Sequence, residues 1–338
     1  MGIYIYSRQH AHGIVVIVNN LIEAFKRKGF ECERIESLEG RTSNDFIIPY
    51  GVMEANELID SGLPTRISFP ADAITLGYRN KIKFYLKINH FMNYDFFYSI
   101  YAYLKYRPKE KKMIDSYETN ILVSPVDIKY FKENFNKSDE KYRYITNGIE
   151  LNEIADRTKS QEFRIGILSP WQSRQIYEES NWFIKKYFCK YVKTHTNVKL
   201  YIAGRGPRCK EFEGMQNIKV LGEVSSLNDF FSNIDVMISS NPKGCGILNR
   251  VLDSFAYKVP VCGIDASFTG FPNSDNCYFS FTDYKSFCEV MDEMMNHPEE
   301  LDLKSRNAYE YIKANNDWKV LYDDLISEIV NKYKLSEF

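Results

Sequence analysis

Residues 241–263 read NPKGCGILNRVLDSFAYKVPVCG and carry the strongest structural signal in the chain. The segment follows a strand-like run at 235–239, and its spacing predicts a helix from Ile247 to Lys258 and then a strand from Val259 to Ile264. With Ile247 as the first helical residue, Gly246 lies at the helix N-terminus, where free backbone N–H groups favour a phosphate. This order of strand, glycine-rich turn and helix indicates a parallel α/β domain with a phosphorylated ligand.

Two charged residues of the same segment fall on one face of the predicted helix. Arg250 and Asp253 lie four and seven positions after Gly246, which spans about 10 Å at the helical rise and matches a nucleoside diphosphate. The guanidinium of Arg250 would pair with the diphosphate, and the carboxylate of Asp253 would accept hydrogen bonds from a ribose diol. An ordinary helix with an exposed Arg–Asp pair explains the same two residues, so this reading stays open.

Strand-like and helix-like stretches alternate through both halves of the chain, which is typical of a parallel sheet covered by helices. The predicted strands are 3–6, 46–49, 66–69, 142–146, 163–168, 198–203 and 218–221, and the predicted helices include 14–28, 126–135, 177–195 and 227–234. A polar stretch at 150–161 lacks apolar periodicity and follows an Asn-Gly turn. We therefore expect two Rossmann-like domains, 1–149 and 150–316, that face each other across a ligand cleft.

The overall composition excludes several classes of protein. The 338 residues carry a net charge of -1, so nothing in the global charge draws the chain to nucleic acid. The seven cysteines show no Cys-x-x-Cys spacing and suggest neither a zinc site nor a disulfide framework, which fits a reduced, cytoplasmic protein. The N-terminus lacks the features of a signal peptide, and no apolar run is long enough to span a bilayer.

The second half resembles the C-terminal domain of glycosyltransferase family 4, a group of retaining enzymes with the GT-B fold. Residues 241–263 look like the family's donor-binding signature, in which Gly-x-Gly, a basic residue and an acid open a helix. The stretches 198–207, VKLYIAGRGP, and 217–222, NIKVLG, are similar to the two strands that precede it. The first half matches more loosely through His12-Gly13-Ile14 and the Asn147-Gly148 turn, and Trp318 looks like the helix, 317–338, that crosses back to the first domain.

The resemblance implies a transferase that moves a sugar from a nucleotide-sugar donor to a glycan or lipid-linked acceptor, with retention, in polysaccharide or glycolipid assembly. It implies donor binding by Gly13, Gly204, Leu221, Gly222, Cys245, Gly246, Ile247, Asn249, Arg250 and Asp253, and catalytic roles for Arg250, Arg174 and His12. The chain has no Asp-x-Asp pair, so we expect no metal and no other cofactor, and expect positive groups and helix dipoles to neutralise the leaving diphosphate.

Two departures from the family pattern keep other functions open. Cys245 stands where the family usually has a Glu eight residues before the ribose-binding acid, and Ile167 follows Gly166 where the family has a Gly-Arg pair. A nucleotide-sugar-binding pseudoenzyme, or a partner subunit of an active transferase, fits these losses. A nucleotide-sugar epimerase on the same plan would need carboxylates that we cannot assign. No Gly-x-Gly-x-x-Gly follows the first strand, which disfavours a dehydrogenase.

One segment, Tyr78–Met113, stands out because nine basic residues are interleaved with many Tyr and Phe side chains. The basic residues are Arg79, Lys81, Lys83, Lys87, Lys105, Arg107, Lys109, Lys111 and Lys112, against Asp95 and Glu110. Such a mixture suits peripheral contact with an anionic membrane, at the inner face of which the protein would work. Solvated basic helix faces over an aromatic core are the equally good alternative.

Overall fold

The computed structural model describes residues 2–10, 12–151 and 160–335, apart from the side chain of His12. Its internal contacts divide the chain into two compact units. The first unit comprises Met1–Gly148, Cys245–Ile247 and Asn316–Phe338, and the second comprises Ile149–Gly244 and Leu248–Asn315. The polar stretch 150–161, interpreted as a linker, lies largely outside the described residues.

The first unit contains six short parallel strands. Two three-stranded groups have the orders β2-β1-β3 and β4-β5-β6, and a bridge between Tyr50 and Phe69 links β3 to β4. The strands are β1 (Ile3–Tyr6), β2 (Cys32–Ile35), β3 (Phe46–Pro49), β4 (Ile67–Ala71), β5 (Thr119–Leu122) and β6 (Tyr142–Tyr144). Strands β1 and β3 have the predicted bounds. Strand β2 escaped prediction because its sequence, Cys-Glu-Arg-Ile, is half charged and lies at the sheet edge.

Helices cover this sheet and connect its strands. They are α1 (His12–Arg27), α2 (Val52–Asp60), α3 (Ile74–Lys87), α4 (Tyr94–Ser116) and α5 (Pro125–Asn134). Ser124 caps α5, because its Oγ accepts a hydrogen bond from the backbone N–H of Val126 at 3.2 Å. The apolar faces of α1 and the strands bury Val18, Leu21 and Phe25 against Ile5 and Phe46.

The second unit contains one six-stranded parallel sheet in the order β12-β11-β10-β7-β8-β9. Its strands are β7 (Phe163–Leu168), β8 (Val198–Ala203), β9 (Ile218–Gly222), β10 (Val236–Ser239), β11 (Val261–Ile264) and β12 (Phe279–Phe281). Strands β7 and β8 match the prediction residue for residue. The strand order reverses between β7 and β10, because the chain runs outward through β8 and β9 and then returns to the other side of β7. This is the order of a doubly wound nucleotide-binding domain.

The helices of the second unit depart from the predicted bounds in three places, and the one expected at 227–234 is shorter than predicted. The stretch expected as one helix at 177–195 is α6 (Arg174–Phe183), a π-helical turn (Ile184–Phe188) and α7 (Cys189–Tyr191), and it begins early because Ser173 caps it. Helix α8 (Leu227–Phe231) precedes β10. The helix expected at 247–258 is α9 (Asn249–Ala256), and Leu248 immediately before it makes no side-chain capping hydrogen bond. Helix α9 starts two residues later than predicted because the backbone of Leu248 is extended, with φ of -92° and ψ of 104°, which a right-handed helix does not contain.

Three further helices complete the chain: α10 (Tyr284–Asn296), α11 (Pro298–Asn315) and α12 (Trp318–Tyr333). By its contacts α12 belongs to the first unit. Asn316 Nδ2 donates to the backbone carbonyl of Asn147 at 2.6 Å, and the Trp318 ring lies against Gly148, where a Cβ atom would come within 2.3 Å of it. The glycine is therefore needed where the last helix packs beside the Asn-Gly turn.

Candidate functional site

The order reversal between β7 and β10 marks a candidate ligand site within the second unit. Ligands of open α/β sheets bind beyond the carboxyl ends of the strands at such a point. Ser169 directly follows β7, and Ser239 ends β10; both are buried. Helix α9 brings a third group to this place, because Arg250 Nη1 donates to Ser169 Oγ at 3.1 Å.

Arg250 is held in a largely dehydrated position. Burial lowers the pKa of its guanidinium, and the carboxylate of Glu179 on α6 acts in the opposite direction and raises that pKa. The Nε atom of Arg250 is buried and finds no hydrogen-bond acceptor within the described parts of the chain. A buried donor without an acceptor is costly, so the site is suited to an incoming anion.

Asp253 lies one turn further along α9 and is partly buried. Burial raises the pKa of its carboxyl from 3.8 to about 7. Near neutral pH the group is therefore divided between its neutral and ionised forms. A hydrogen-bond donor from a ligand, such as a ribose hydroxyl, would favour the ionised form.

The Gly-Arg-Gly-Pro turn after β8 packs against the loop that contains Ser169. A Cβ atom on Gly204 would lie 1.9 Å from the carbonyl oxygen of Ser169, and one on Gly206 would lie 2.2 Å from the backbone nitrogen of Gln172. Trp171 Nε1 also donates to the backbone carbonyl of Ala203 at 2.8 Å. The structure thus explains these glycines by close backbone packing, whereas the sequence interpretation assigned Gly204 to the donor.

The position assigned to Gly246 is wrong, because this residue does not lie at the N-terminus of a helix. It precedes the first residue of α9 by three positions. Its backbone N–H donates to the carboxylate Oδ2 of Asp127 at 2.9 Å, and Cys245 Sγ lies 3.8 Å from Asp72 Oδ2. The contacts of residues 245–247 group them with the first unit. Since Gly246 lies outside α9, it does not share a helical face with Arg250 and Asp253.

A buried polar cluster lies at the carboxyl end of β4 in the first unit. Glu110 on α4 accepts hydrogen bonds from the backbone N–H of Thr75, at 3.1 Å, and from its hydroxyl. Burial raises the pKa of Glu110 to about 8, with the charge of Asp72 acting in the same direction. Ala71, just before Asp72, has a φ of 66°, an uncommon conformation for alanine that concentrates at functional positions.

The remaining predicted residues lie in several places. Arg174 is the first residue of α6 and is exposed, and Asn249 is the exposed first residue of α9. Leu221 and Gly222 end β9, and the backbone carbonyl of Gly222 accepts from the N–H of Gly204 at 2.7 Å. Gly13 lies in the first turn of α1. His12 begins that helix, but its side chain lies outside the described part of the structure.

Sequence reasoning missed Ser169, Glu179, Asp72, Asp127 and Glu110. A positional signal existed for Ser169, since it follows a correctly predicted strand at the end where ligands bind. Asp72 follows β4 in the same way, and Asp127 lies in the first turn of α5, the helix after β5. Glu110 had no such signal, because it lies among lysines in a segment interpreted as basic surface.

An exposed apolar stripe runs along α4. Tyr94, Phe97, Tyr101 and Leu104 are each more than half exposed, and their spacing of three, four and three residues places them on one side of the helix. We call these four residues the α4 apolar face. Met92, 80% exposed, precedes it. Exposed apolar side chains on one side of a helix make this face a candidate interaction surface.

The basic residues of the same segment are less available than the sequence suggested. Lys81 is buried, Arg79 lies over the ring of Tyr130, and Arg107 lies over the ring of Phe135. Lys111 pairs with Asp115 and Lys112 with Asp60. Lys83, Lys87 and Lys105 remain exposed. The segment is therefore an apolar face with a few lysines beside it rather than a continuous basic surface.

Within residues 2–10, 12–151 and 160–335, no helix combines the length and the apolar character needed to cross a membrane.

Comparison with known proteins identifies part of the chain. Residues 168–297 match the family model "Glycosyl transferases group 1", which covers β8 to β12 and the whole candidate site in the second unit from Ser169 onward. No curated protein sequence matches the chain.

Solved structures resemble the chain over nearly its full length. Sucrose-phosphate synthase from Thermosynechococcus elongatus is 11% identical with a TM-score of 0.72, over 99% of this chain and 100% of that one. HepE from Anabaena, in complex with UDP, is 11% identical with a TM-score of 0.64, over 98% and 100% of the two chains. A UDP-forming trehalose-phosphate synthase from Burkholderia xenovorans is 12% identical with a TM-score of 0.63, over 96% and 80%. Residues 168–297 form a group 1 glycosyltransferase domain on a chain with the GT-B fold, and the protein is a glycosyltransferase.

Proposed function

We propose that the protein transfers a sugar from a nucleotide-sugar donor to a glycan or lipid-linked acceptor, with retention of configuration, in polysaccharide or glycolipid assembly. The observation that supports a donor site most strongly is the Arg250 guanidinium at the order reversal of the second sheet, with a buried Nε–H that lacks an acceptor in the described chain. A diphosphate supplies such an acceptor. Among the structural neighbours, HepE was solved with UDP.

Each proposed step needs only groups of this chain and of its substrates. Arg250 binds the donor diphosphate and stabilises it most as it departs with additional negative charge. Asp253 accepts hydrogen bonds from the ribose, which does not change during the reaction. The acceptor hydroxyl attacks on the side of the leaving group, and the departing phosphate removes its proton. This scheme requires no metal, so we expect turnover to persist in a chelator.

Two substitutions on one helix test the donor site. We expect Arg250→Ala to lower the rate at saturating donor by at least tenfold, since the arginine acts on the leaving group. We expect Asp253→Asn to raise the donor Michaelis constant by about 10- to 100-fold, which corresponds to a charged hydrogen bond of about 1.5–3 kcal/mol. The assay follows nucleoside diphosphate release from a panel containing UDP-glucose, UDP-N-acetylglucosamine and GDP-mannose.

The control is Arg306→Ala, which removes an exposed arginine from α11 of the same unit. It should leave both kinetic constants unchanged. Wild-type kinetics in folded Arg250→Ala and Asp253→Asn would show that α9 is only structural. The anomeric configuration of the product, measured by NMR, tests retention separately.

We further propose that the first unit contacts an anionic membrane through the α4 apolar face, which brings the cytoplasmic enzyme to the inner leaflet and to a lipid-linked acceptor. Aromatic and leucine side chains insert at the boundary between headgroups and acyl chains, and Lys83, Lys87 and Lys105 lie close in sequence to that face. Each exposed lysine adds about 1 kcal/mol near an anionic surface. The apolar side chains contribute more of the membrane-binding free energy than the lysines do.

Sedimentation with vesicles tests this contact. Phe97→Ser with Leu104→Ser should weaken binding to vesicles of phosphatidylglycerol and phosphatidylcholine at least tenfold, since burial of each side chain contributes about 1.5–3 kcal/mol. Lys83→Glu with Lys87→Glu should reduce the preference for anionic over neutral vesicles. Leu303→Ser, which removes an exposed leucine from α11, is the matched control. Equal sedimentation of wild type and the α4 variant would remove the proposal.

A further inference from the structure

Ser169 has a fixed position at the carboxyl end of β7. Its side chain is buried, with 3% relative exposure. Its backbone N–H donates to the carbonyl of Ala203 at 3.1 Å, and Gly204 packs directly on its carbonyl oxygen. The neighbouring strand and turn therefore hold this residue on both sides. A side chain mounted on such rigid backbone is well placed to orient another group.

The hydroxyl of Ser169 already uses its oxygen as an acceptor. It receives the hydrogen bond from Arg250 Nη1 at 3.1 Å. A serine hydroxyl also has one proton to donate. Among the residues that the structure describes, none accepts that proton. The Ser169 O–H and the buried Nε–H of Arg250 are thus two neighbouring donors, each without an acceptor within the described chain.

The two donors come from different elements of the second unit. Ser169 follows β7 and Arg250 lies in the first turn of α9, 81 positions later in the sequence. Leu168 ends β7 and Pro170 follows Ser169, and neither side chain carries a positive charge or a donor. Arg250, which donates a hydrogen bond to Ser169, therefore supplies a positive charge at the end of β7.

We propose that Ser169 is a further donor-binding residue: its hydroxyl donates to the terminal phosphate of the donor's diphosphate, and its oxygen holds the Arg250 guanidinium against the same phosphate. This rests on the proposed function, in which Arg250 binds the diphosphate. One hydroxyl then binds the ligand and also orients the arginine. A phosphate oxygen accepts both hydrogen bonds, which are shorter and stronger than those between neutral groups.

The test separates the phosphate from the nucleoside. Wild type, Ser169→Ala and Arg250→Ala are titrated calorimetrically with UDP, GDP and ADP, and with uridine, guanosine and adenosine. We expect Ser169→Ala to weaken the best-bound nucleoside diphosphate at least tenfold and to leave the matching nucleoside within about twofold. Ser254→Ala is the control, because this buried serine lies on α9 and its hydroxyl is satisfied by the carbonyl of Val259 at 2.9 Å.

The outcomes distinguish this inference from the proposed function. If Arg250→Ala binds every diphosphate as wild type does, or wild type binds none, the donor site itself is wrong. If Arg250→Ala weakens binding and Ser169→Ala does not, only the role of Ser169 is wrong. Equal losses for the diphosphate and the nucleoside would reduce Ser169 to a structural residue. Should Ser169→Ala fail to fold, Ser169→Cys, which keeps the side-chain size but donates weakly, carries the same test.

Discussion

The carboxyl group of Asp253 should make nucleotide binding depend on pH. Burial raises its pKa to about 7, so the free enzyme at neutral pH contains both forms of the group. The ionised form accepts hydrogen bonds from both hydroxyls of a ribose, whereas the neutral form has one fewer acceptor position. Ribose binding therefore favours the ionised form, and affinity should rise as the pH rises through the pKa.

The size of the effect follows from that pKa. About a tenth of the molecules carry ionised Asp253 at pH 6, and about nine tenths do at pH 8. The affinity for a nucleoside diphosphate should therefore be about tenfold higher at pH 8 than at pH 6. Asp253→Asn removes the titrating group and should remove this dependence, while it lowers the affinity most at the higher pH.

Calorimetric titration at pH 6, 7 and 8 measures the dependence. The terminal phosphate of the nucleotide also titrates near pH 6, but it does so equally with both proteins. The ratio of wild-type to Asp253→Asn affinity therefore isolates the carboxyl group. A ratio that stays constant between pH 6 and pH 8 would show either that Asp253 does not touch the ligand or that burial does not raise its pKa.

Three further predictions concern folding and packing. The contribution of Glu110 to the stability of the wild type should fall as pH rises from about 4.5 to about 8, because unfolded Glu110 ionises near the lower value and folded Glu110 only near the upper; the difference in thermal stability between wild type and Glu110→Gln should change accordingly over this range. Gly204→Ala should destabilise the second unit by about 3 kcal/mol or more, since the new methyl meets the Ser169 carbonyl, and denaturant unfolding measures this. Gly214→Ala, at a glycine that also has positive φ but open space around it, should cost about 1 kcal/mol.

The order of strands and helices along the chain could be predicted from the sequence, because each element depends mainly on residues that are close together in the sequence. Runs such as Phe163–Leu168 and Val198–Ala203 are apolar and bounded by turn residues, and the structure gives both the predicted bounds. The start of α9 was misplaced by two residues, since apolar periodicity does not report the extended backbone of Leu248.

The sequence predicted which residues of α9 belong to the candidate site but not the surroundings of their side chains. The charge and helical spacing of Arg250 and Asp253 identified them within one helix. The sequence of the helix does not determine the environment of these two side chains. The groups that bury Asp253, and Ser169, which accepts the hydrogen bond from Arg250, come from segments distant in sequence. The same limit applied to the basic segment, where the sequence shows Lys81 and Lys83 alike and the fold buries the first and exposes the second.

The sequence by itself determined the alternation of strands and helices in both halves of the chain, because each element depends on residues a few positions apart. Tertiary structure alone decided that the Gly246 amide binds the carboxylate of Asp127, that Ser169 receives Arg250, and that Glu110 is buried with a raised pKa. The physical reason is that desolvation and hydrogen bonding depend on which surfaces meet. That is settled only when strands and helices distant in sequence pack together.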